Sequence, residues 1–337
     1  MAMIGIVIFA SGLICAVLIV ALKPLLVRYA LARPNARSSH RIPTPQGGGI
    51  AVLAAILAVV TAAAHFFMPL PADLVWLGAS ALALGVIGTV DDIRPLPASV
   101  RLLLQIIAVA AVIVASREAR ILPETAPLWL ERGLLILGGV WFVNLVNFMD
   151  GIDWITVAEI VPITAFMALL GAAGLIPLWM AVVGAALCGA MVGFAPFNKP
   201  VAKLFLGDVG SLPIGLLVGW LLFKLAAMGA LAAAVLLPLY YLADATITLL
   251  RRLADGERVW EAHRRHYYQQ AIDRNGFSVM AVVAHIFVLN LALAGLALAT
   301  MAWPTWPVQI GAVTSGCALV AWVLRRFAAP RAFQVAA

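Results

Sequence analysis

Runs of about twenty consecutive apolar residues recur along the whole chain, interrupted only by short stretches of Pro, Gly and charge. A helix needs ~20 such residues to cross the hydrocarbon core. In lipid every backbone polar group must also be satisfied within the protein, so the pattern points to an all-α, polytopic integral membrane protein. About 11 transmembrane helices are expected, at approximately 3–22, 48–68, 73–90, 100–116, 133–149, 155–171, 176–196, 209–226, 230–250, 277–299 and 306–324. Charged residues make up 11% of the 337, against about 25% in an ordinary soluble domain. That composition excludes a water-soluble globule and predicts one membrane domain over 1–337.

A net charge of +7 would suggest nucleic acid for a soluble protein. Here the basic residues first report orientation, and no nucleic-acid partner is expected. With the first loop placed in the cytoplasm, eighteen Lys and Arg fall on that side and four on the other. The positive-inside rule then puts the N-terminus outside and the C-terminus in the cytoplasm. No basic region precedes the first span, which favours a retained helix over a cleaved signal. Cys15, Cys188 and Cys317 fall in separate spans without metal-like spacing and are expected to pack as small apolar residues.

Polar residues concentrate in the cytoplasmic loops, at about 23–47, 91–99, 147–154, 197–208 and 251–276. Asp91 and Asp92 follow one span directly, Asp150 and Asp153 follow another, and Asp208 precedes a third. Like charges this close raise one another's pKa unless a cation neutralises them. Magnesium suits such a set, because it takes one or two carboxylates together with substrate phosphates. A bland reading, in which each acid caps a helix or solvates a loop, competes for any single Asp.

Basic and glycine-rich elements share the same side. Gly47, Gly48 and Gly49 let the backbone approach a ligand closely. Gly207 and Gly210 flank a turn into a helix N-terminus suited to phosphate, and Lys203, Arg264 and Arg265 add positive field. His263 and His266, three apart, would share one helix face. Without a third ligand nearby they fit phosphate or sugar hydrogen bonding better than zinc. Two acids, Glu159 and Asp244, lie inside apolar stretches, where a carboxylate is costly. Asp244 is within two turns of Arg251 and Arg252 and could face the polar cavity; Glu159 has no evident partner and reads as a buried hydrogen-bonding group.

These motifs, in order over about 38–276, resemble those of the polyprenyl-phosphate N-acetylhexosamine-1-phosphate transferase family, with its MraY-, WecA-, TagO- and WbpL-like branches. The resemblance implies catalytic roles for Asp91 and Asp92, and metal contact for Asp208 and Asn147. It also implies nucleotide or sugar contacts for Asn147, Asp150, Asp153, Asn198, Lys203, His263, Arg264, Arg265 and His266. The segment with His40, Arg41 and Thr44 matches a lipid-phosphate loop. The family often has lysine near its Pro-Thr-Pro, where this chain has Arg41 before and Gln46 after. The last loop, His263-Arg264-Arg265-His266, looks most like the WbpL branch.

The implied enzyme is a bacterial inner-membrane glycosyl-1-phosphate transferase with its active site facing the cytoplasm. It would use Mg2+, with Mn2+ as an alternative, to move an N-acetylhexosamine 1-phosphate from a UDP-sugar to undecaprenyl phosphate. UMP would leave, and O-antigen or another surface polysaccharide would be initiated. Membrane lipid is an expected partner, and a homodimer an oligomeric option. Two rivals stand beside this reading: an MraY-like phospho-MurNAc-pentapeptide transferase, and a proton-coupled secondary transporter using Glu159 and Asp244.

Overall fold

A computed structural model describes residues 1–32, 43–67, 71–259, 261 and 263–329. Among these, ten helices are long and apolar enough to cross a membrane. They are α1 (Ala2–Tyr29), α2 (Gly48–Phe66), α3 (Ala72–Ile93), α4 (Ala98–Ala115), α5 (Leu128–Met149), α6 (Ile155–Ala172), α7 (Leu178–Asn198), α8 (Asp208–Ala227), α12 (Val279–Ala302) and α13 (Trp306–Ala328). Three shorter helices complete the set: α9 (Leu231–Leu236), α10 (Leu239–Ala254) and α11 (Tyr267–Asp273). The remaining regular structure is a two-residue antiparallel ladder pairing β1 (Leu31–Ala32) with β2 (Thr44–Pro45).

Helix starts follow the prolines. Pro71, Pro97, Pro127 and Pro177 immediately precede α3, α4, α5 and α7. A residue with no N–H to offer stops the incoming chain from being helical and sacrifices nothing at the new helix's first turn. α8 is the most enclosed helix, walled by α2, α3, α5 and α9, whereas α1, α4 and α13 leave most of their surface outward. Two glycines allow that enclosure. A Cβ at Gly88 would run into the Asp208 carbonyl, and one at Gly49 into the Gly210 backbone.

The expected ninth span, 230–250, is not one helix. It breaks at Leu237–Pro238 into α9 and α10. Proline in a helix interior removes a hydrogen bond and clashes with the preceding turn, while the apolar run continues across the break and hides it from hydropathy.

The Glu159 carboxylate, fully buried on α6, accepts the side-chain amide of Asn290 on α12 at 2.6 Å through Oε2, while among the described residues Oε1 has no hydrogen-bond partner. Of the cysteines, Cys15 and Cys188 are buried as expected, but Cys317 is exposed on α13. Its place on the outward face of the bundle's last helix leaves it nothing to pack against.

Candidate active site

The expected acids meet where α3 ends and α8 begins. Asp91 and Asp92 occupy the last turn of α3, and Asp208 is the first residue of α8. The Asp92 carboxylate accepts the backbone amides of Asp208 at 3.0 Å and Val209 at 3.3 Å. It therefore caps α8 from another helix, supplying negative charge where the helix dipole is positive. Gly207, with φ of 77°, makes room: a Cβ there would strike the Asp92 carboxylate. Gln46 donates its side-chain amide to the Asp92 carbonyl at 2.7 Å, drawing the start of α2 into the same corner.

Asp91 accepts the Leu96 amide and the Arg101 guanidinium, both at 2.6 Å. Arg101 also lies 3.6 Å from the Asp208 carboxylate, and the Asp91 and Asp208 side chains touch. On the far side of Asp208, Asn147 donates to its Oδ1 at 2.8 Å and to Ser211 Oγ at 2.9 Å. Residues from α3, α4, α5 and α8 thus form one continuous polar knot. In the sequence Arg101 is one of the eighteen basic residues that mark the cytoplasmic side, distinguished only by its place ten residues after Asp91, one turn into the next helix.

Beside the knot is a cavity of about 390 Å³, lined by Arg101, Asn147, Asp208, His263, His266 and Gln269 among others. His263 is held largely neutral: burial, with the neighbouring His266, pushes its imidazole down to about 4. Its Nδ1 accepts the Arg265 amide at 3.1 Å, and its ring stacks on His266 with centroids 4.8 Å apart.

Other expected ligand contacts are engaged with the protein itself. Arg264 is doubly bonded to Asp273, at 2.7 and 2.8 Å, and Arg265 pairs with Asp255 and Glu257. Neither lines the cavity, because the loop's own acids take both guanidiniums. Asn198 is buried, accepts the Trp154 amide at 2.8 Å and donates to the Leu204 carbonyl at 3.0 Å. It pins Trp154 in a left-handed conformation, φ 64°, that is rare outside glycine. Asp153 accepts the Ala202 amide at 2.9 Å, so this pair clamps the 199–206 segment to the turn between α5 and α6.

Lys203 is exposed on that segment. Asp150 bonds to Thr156, and enclosure beside Asp92 and Asp153 pushes its carboxyl up to about 7. Thr44 is buried in β2, whose neighbour Pro45 accepts the Phe205 amide at 2.9 Å. His40 and Arg41 lie outside the described residues.

A second cavity, about 230 Å³ and almost wholly apolar, lies farther along α4, α5, α8 and α10, with Val109, Phe142, Phe223, Pro238 and Leu242 in its wall. The proline that breaks the ninth span therefore borders it.

The family model described as "Glycosyl transferase family 4" matches residues 74–226, a stretch that holds the whole acid knot. The matched model and the relatives that follow are similar to this chain and support its place in the polyprenyl-phosphate hexosamine-1-phosphate transferase family. A decaprenyl-phosphate N-acetylglucosaminephosphotransferase of Mycobacterium leprae is 29% identical, over 88% of this chain and 84% of its own length. A probable undecaprenyl-phosphate N-acetylglucosaminyl 1-phosphate transferase of Bacillus subtilis is 26% identical, over 81% and 78%. A phospho-N-acetylmuramoyl-pentapeptide-transferase of Mycobacterium avium is 29% identical over a shorter stretch, 59% of this chain and 60% of the relative.

Proposed function

We propose that the protein transfers an N-acetylhexosamine 1-phosphate from a UDP-sugar to undecaprenyl phosphate at the cytoplasmic face of the bacterial inner membrane. UMP leaves, and the lipid-linked diphosphate sugar begins an O-antigen or other surface polysaccharide. The observation that carries this reading is the meeting of Asp91, Asp208, Asn147 and Arg101 beside a polar cavity, with an apolar cavity farther along the same helices.

The residues fit a hard divalent cation. Asp91 and Asp208 touch, and the groups beside them are oxygen-bearing side chains rather than thiols, although Asn147 turns its NH2 and not its oxygen toward Asp208. Among the described residues no three acid, His or Cys side chains form a ready cage; magnesium does not require one when substrate phosphates complete its shell. Asp208, with Asn147 alongside, would hold Mg2+ or Mn2+. Bound there, the ion would polarise the diphosphate and offset charge on the departing UMP.

Phosphoryl transfer chiefly requires in-line positioning and charge stabilisation. Arg101 supplies a fixed positive charge at the knot, and Asp92 fixes the α8 terminus and with it Asp208. Asp91, held by the Leu96 amide and the Arg101 guanidinium, would receive a proton from the monoanionic fraction of the lipid phosphate. The apolar cavity would take the first prenyl units, leaving the phosphate at the polar one. The His263–His266 loop favours a donor of the WbpL type, an N-acetylated and often 6-deoxy hexosamine.

The test is incubation of purified protein, magnesium and undecaprenyl phosphate with a panel of UDP-N-acetylhexosamines, with mass spectrometry of the lipid. One donor should yield a lipid diphosphate sugar and UMP; no product from any donor overturns the reading. Exchange of labelled UMP into the UDP-sugar without lipid would replace direct attack by a covalent aspartyl route.

A further inference from the structure

Asp244 is wholly buried on α10, a residue the mechanism above does not use. Its two oxygens face five donors. Oδ1 accepts the Tyr267 amide at 3.0 Å, the Thr248 hydroxyl at 3.3 Å and meets His266 Nδ1 at 3.2 Å. Oδ2 accepts the Tyr240 hydroxyl at 3.0 Å and the Tyr268 amide at 3.2 Å. Asp244 thus anchors the N-terminus of α11, whose N-cap is His266, while that same imidazole lines the polar cavity.

We propose that Asp244 is a positioning residue that keeps the His266 proton on Nδ1, so that Nε2 stands in the cavity as an acceptor beside a donating His263 Nε2. Two backbone amides among its partners are donors by chemistry, so the carboxylate is set to accept. Against it, a bare Nδ1 lone pair at 3.2 Å would be repelled, whereas Nδ1–H makes a charge-assisted bond. The Gln269 amide approaches the same ring in a capping box; it is a neutral donor, and the anionic oxygen outweighs it.

His263 is held the opposite way. Its Nδ1 accepts the Arg265 amide, so its proton is on Nε2. Two stacked imidazoles of opposite tautomer present one donor and one acceptor, and a hydroxyl group answers both through a single oxygen. The ligand feature read here is therefore a sugar or ribose hydroxyl. This inference rests on the transferase reading for its ligand, but its structural core does not.

The protein has five histidines, so 15N-histidine labelling in detergent, assigned with His263→Gln and His266→Gln, resolves each ring. The expected wild-type spectrum shows His266 protonated on Nδ1 and His263 on Nε2. Asp244→Asn, which can donate to Nδ1, should move the His266 proton to Nε2, leave the ligand hydroxyl facing two donors, and raise KM by ~10-fold, the worth of one neutral hydrogen bond, with kcat less changed. Placed in His266→Gln protein, the same substitution should cost nothing further. A wild-type His266 protonated on Nε2, or an undiminished loss in the His266→Gln background, overturns the proposal. The wild-type spectrum decides the tautomer even where Asp244→Asn fails to fold. Absence of turnover by wild type would defeat the transferase reading and leave the spectrum standing.

Discussion

The Asp92 carboxylate holds the backbone amide of Asp208 at 3.0 Å, across the junction of α3 and α8. Of the two adjacent aspartates, only Asp91 touches the Asp208 side chain and Arg101. The pair therefore divides its labour: Asp92 builds the helix terminus that Asp91 and Asp208 use.

Asp92→Ala should lower stability by about 1 kcal/mol, the usual worth of an N-terminal cap. It should reduce transfer further by letting Asp208 drift. Thermal unfolding in detergent alongside the transfer assay checks this. An unchanged melting temperature would mean that α8 does not depend on Asp92.

The acids were legible because a charge inside an apolar run can stand cheaply only at its ends, and Asp91, Asp92, Asp150 and Asp208 all do. Three features were not. Pro238 sits in a run whose hydropathy does not dip, so the break between α9 and α10 was hidden. Arg101 carries the same letter as residues that merely mark a membrane face. The bonds of Asn198 and Asp153 to the backbone amides of Trp154 and Ala202 exist only once the loops have folded.

Arg101 offsets charge on both Asp91 and Asp208. Losing a charged hydrogen bond costs ~1.5–3 kcal/mol, so Arg101→Gln should lower kcat/KM by ~10- to 100-fold, while Arg101→Lys retains more activity. Steady-state kinetics on both variants decides the matter. Equal activity in wild type and Arg101→Gln would remove the guanidinium from the reaction.

Gly88 faces the Asp208 backbone with no room for a Cβ. Gly88→Ala should separate α3 from α8 at an overpacking cost of about 1–3 kcal/mol, and transfer should fall with it. Gly133→Ala, where nothing lies within 4 Å, is the matched control and should leave melting and turnover unchanged. Identical melting of the two variants would contradict the close helix approach.

Burial pushes His263 down to about 4 from its ordinary 6.5. The unfolded chain then binds the proton first. The resulting stability is present above pH 6.5 and is lost as pH falls from there toward 4. Melting temperature should drop over that window, and His263→Gln should flatten that part of the slope. A wild-type and variant pair with parallel profiles would refute it.

Glu159 distinguishes an anchoring acid from a proton carrier. Its carboxylate accepts from Asn290 on α12, and a glutamine can accept the same bond. Glu159→Gln should therefore keep transfer within ~3-fold of wild type, since the hydrogen-bond acceptor survives. Glu159→Leu removes the shorter of the two bonds of the Asn290 amide, which keeps the Ala158 carbonyl at 3.1 Å, and should destabilise by about 1–3 kcal/mol. A proton-coupled transporter would behave otherwise, because the neutral amide cannot exchange a proton and function would vanish in Glu159→Gln. Measuring transfer and melting in both variants separates the two cases: full loss in the glutamine variant with normal melting would assign Glu159 a titrating role in place of a structural one.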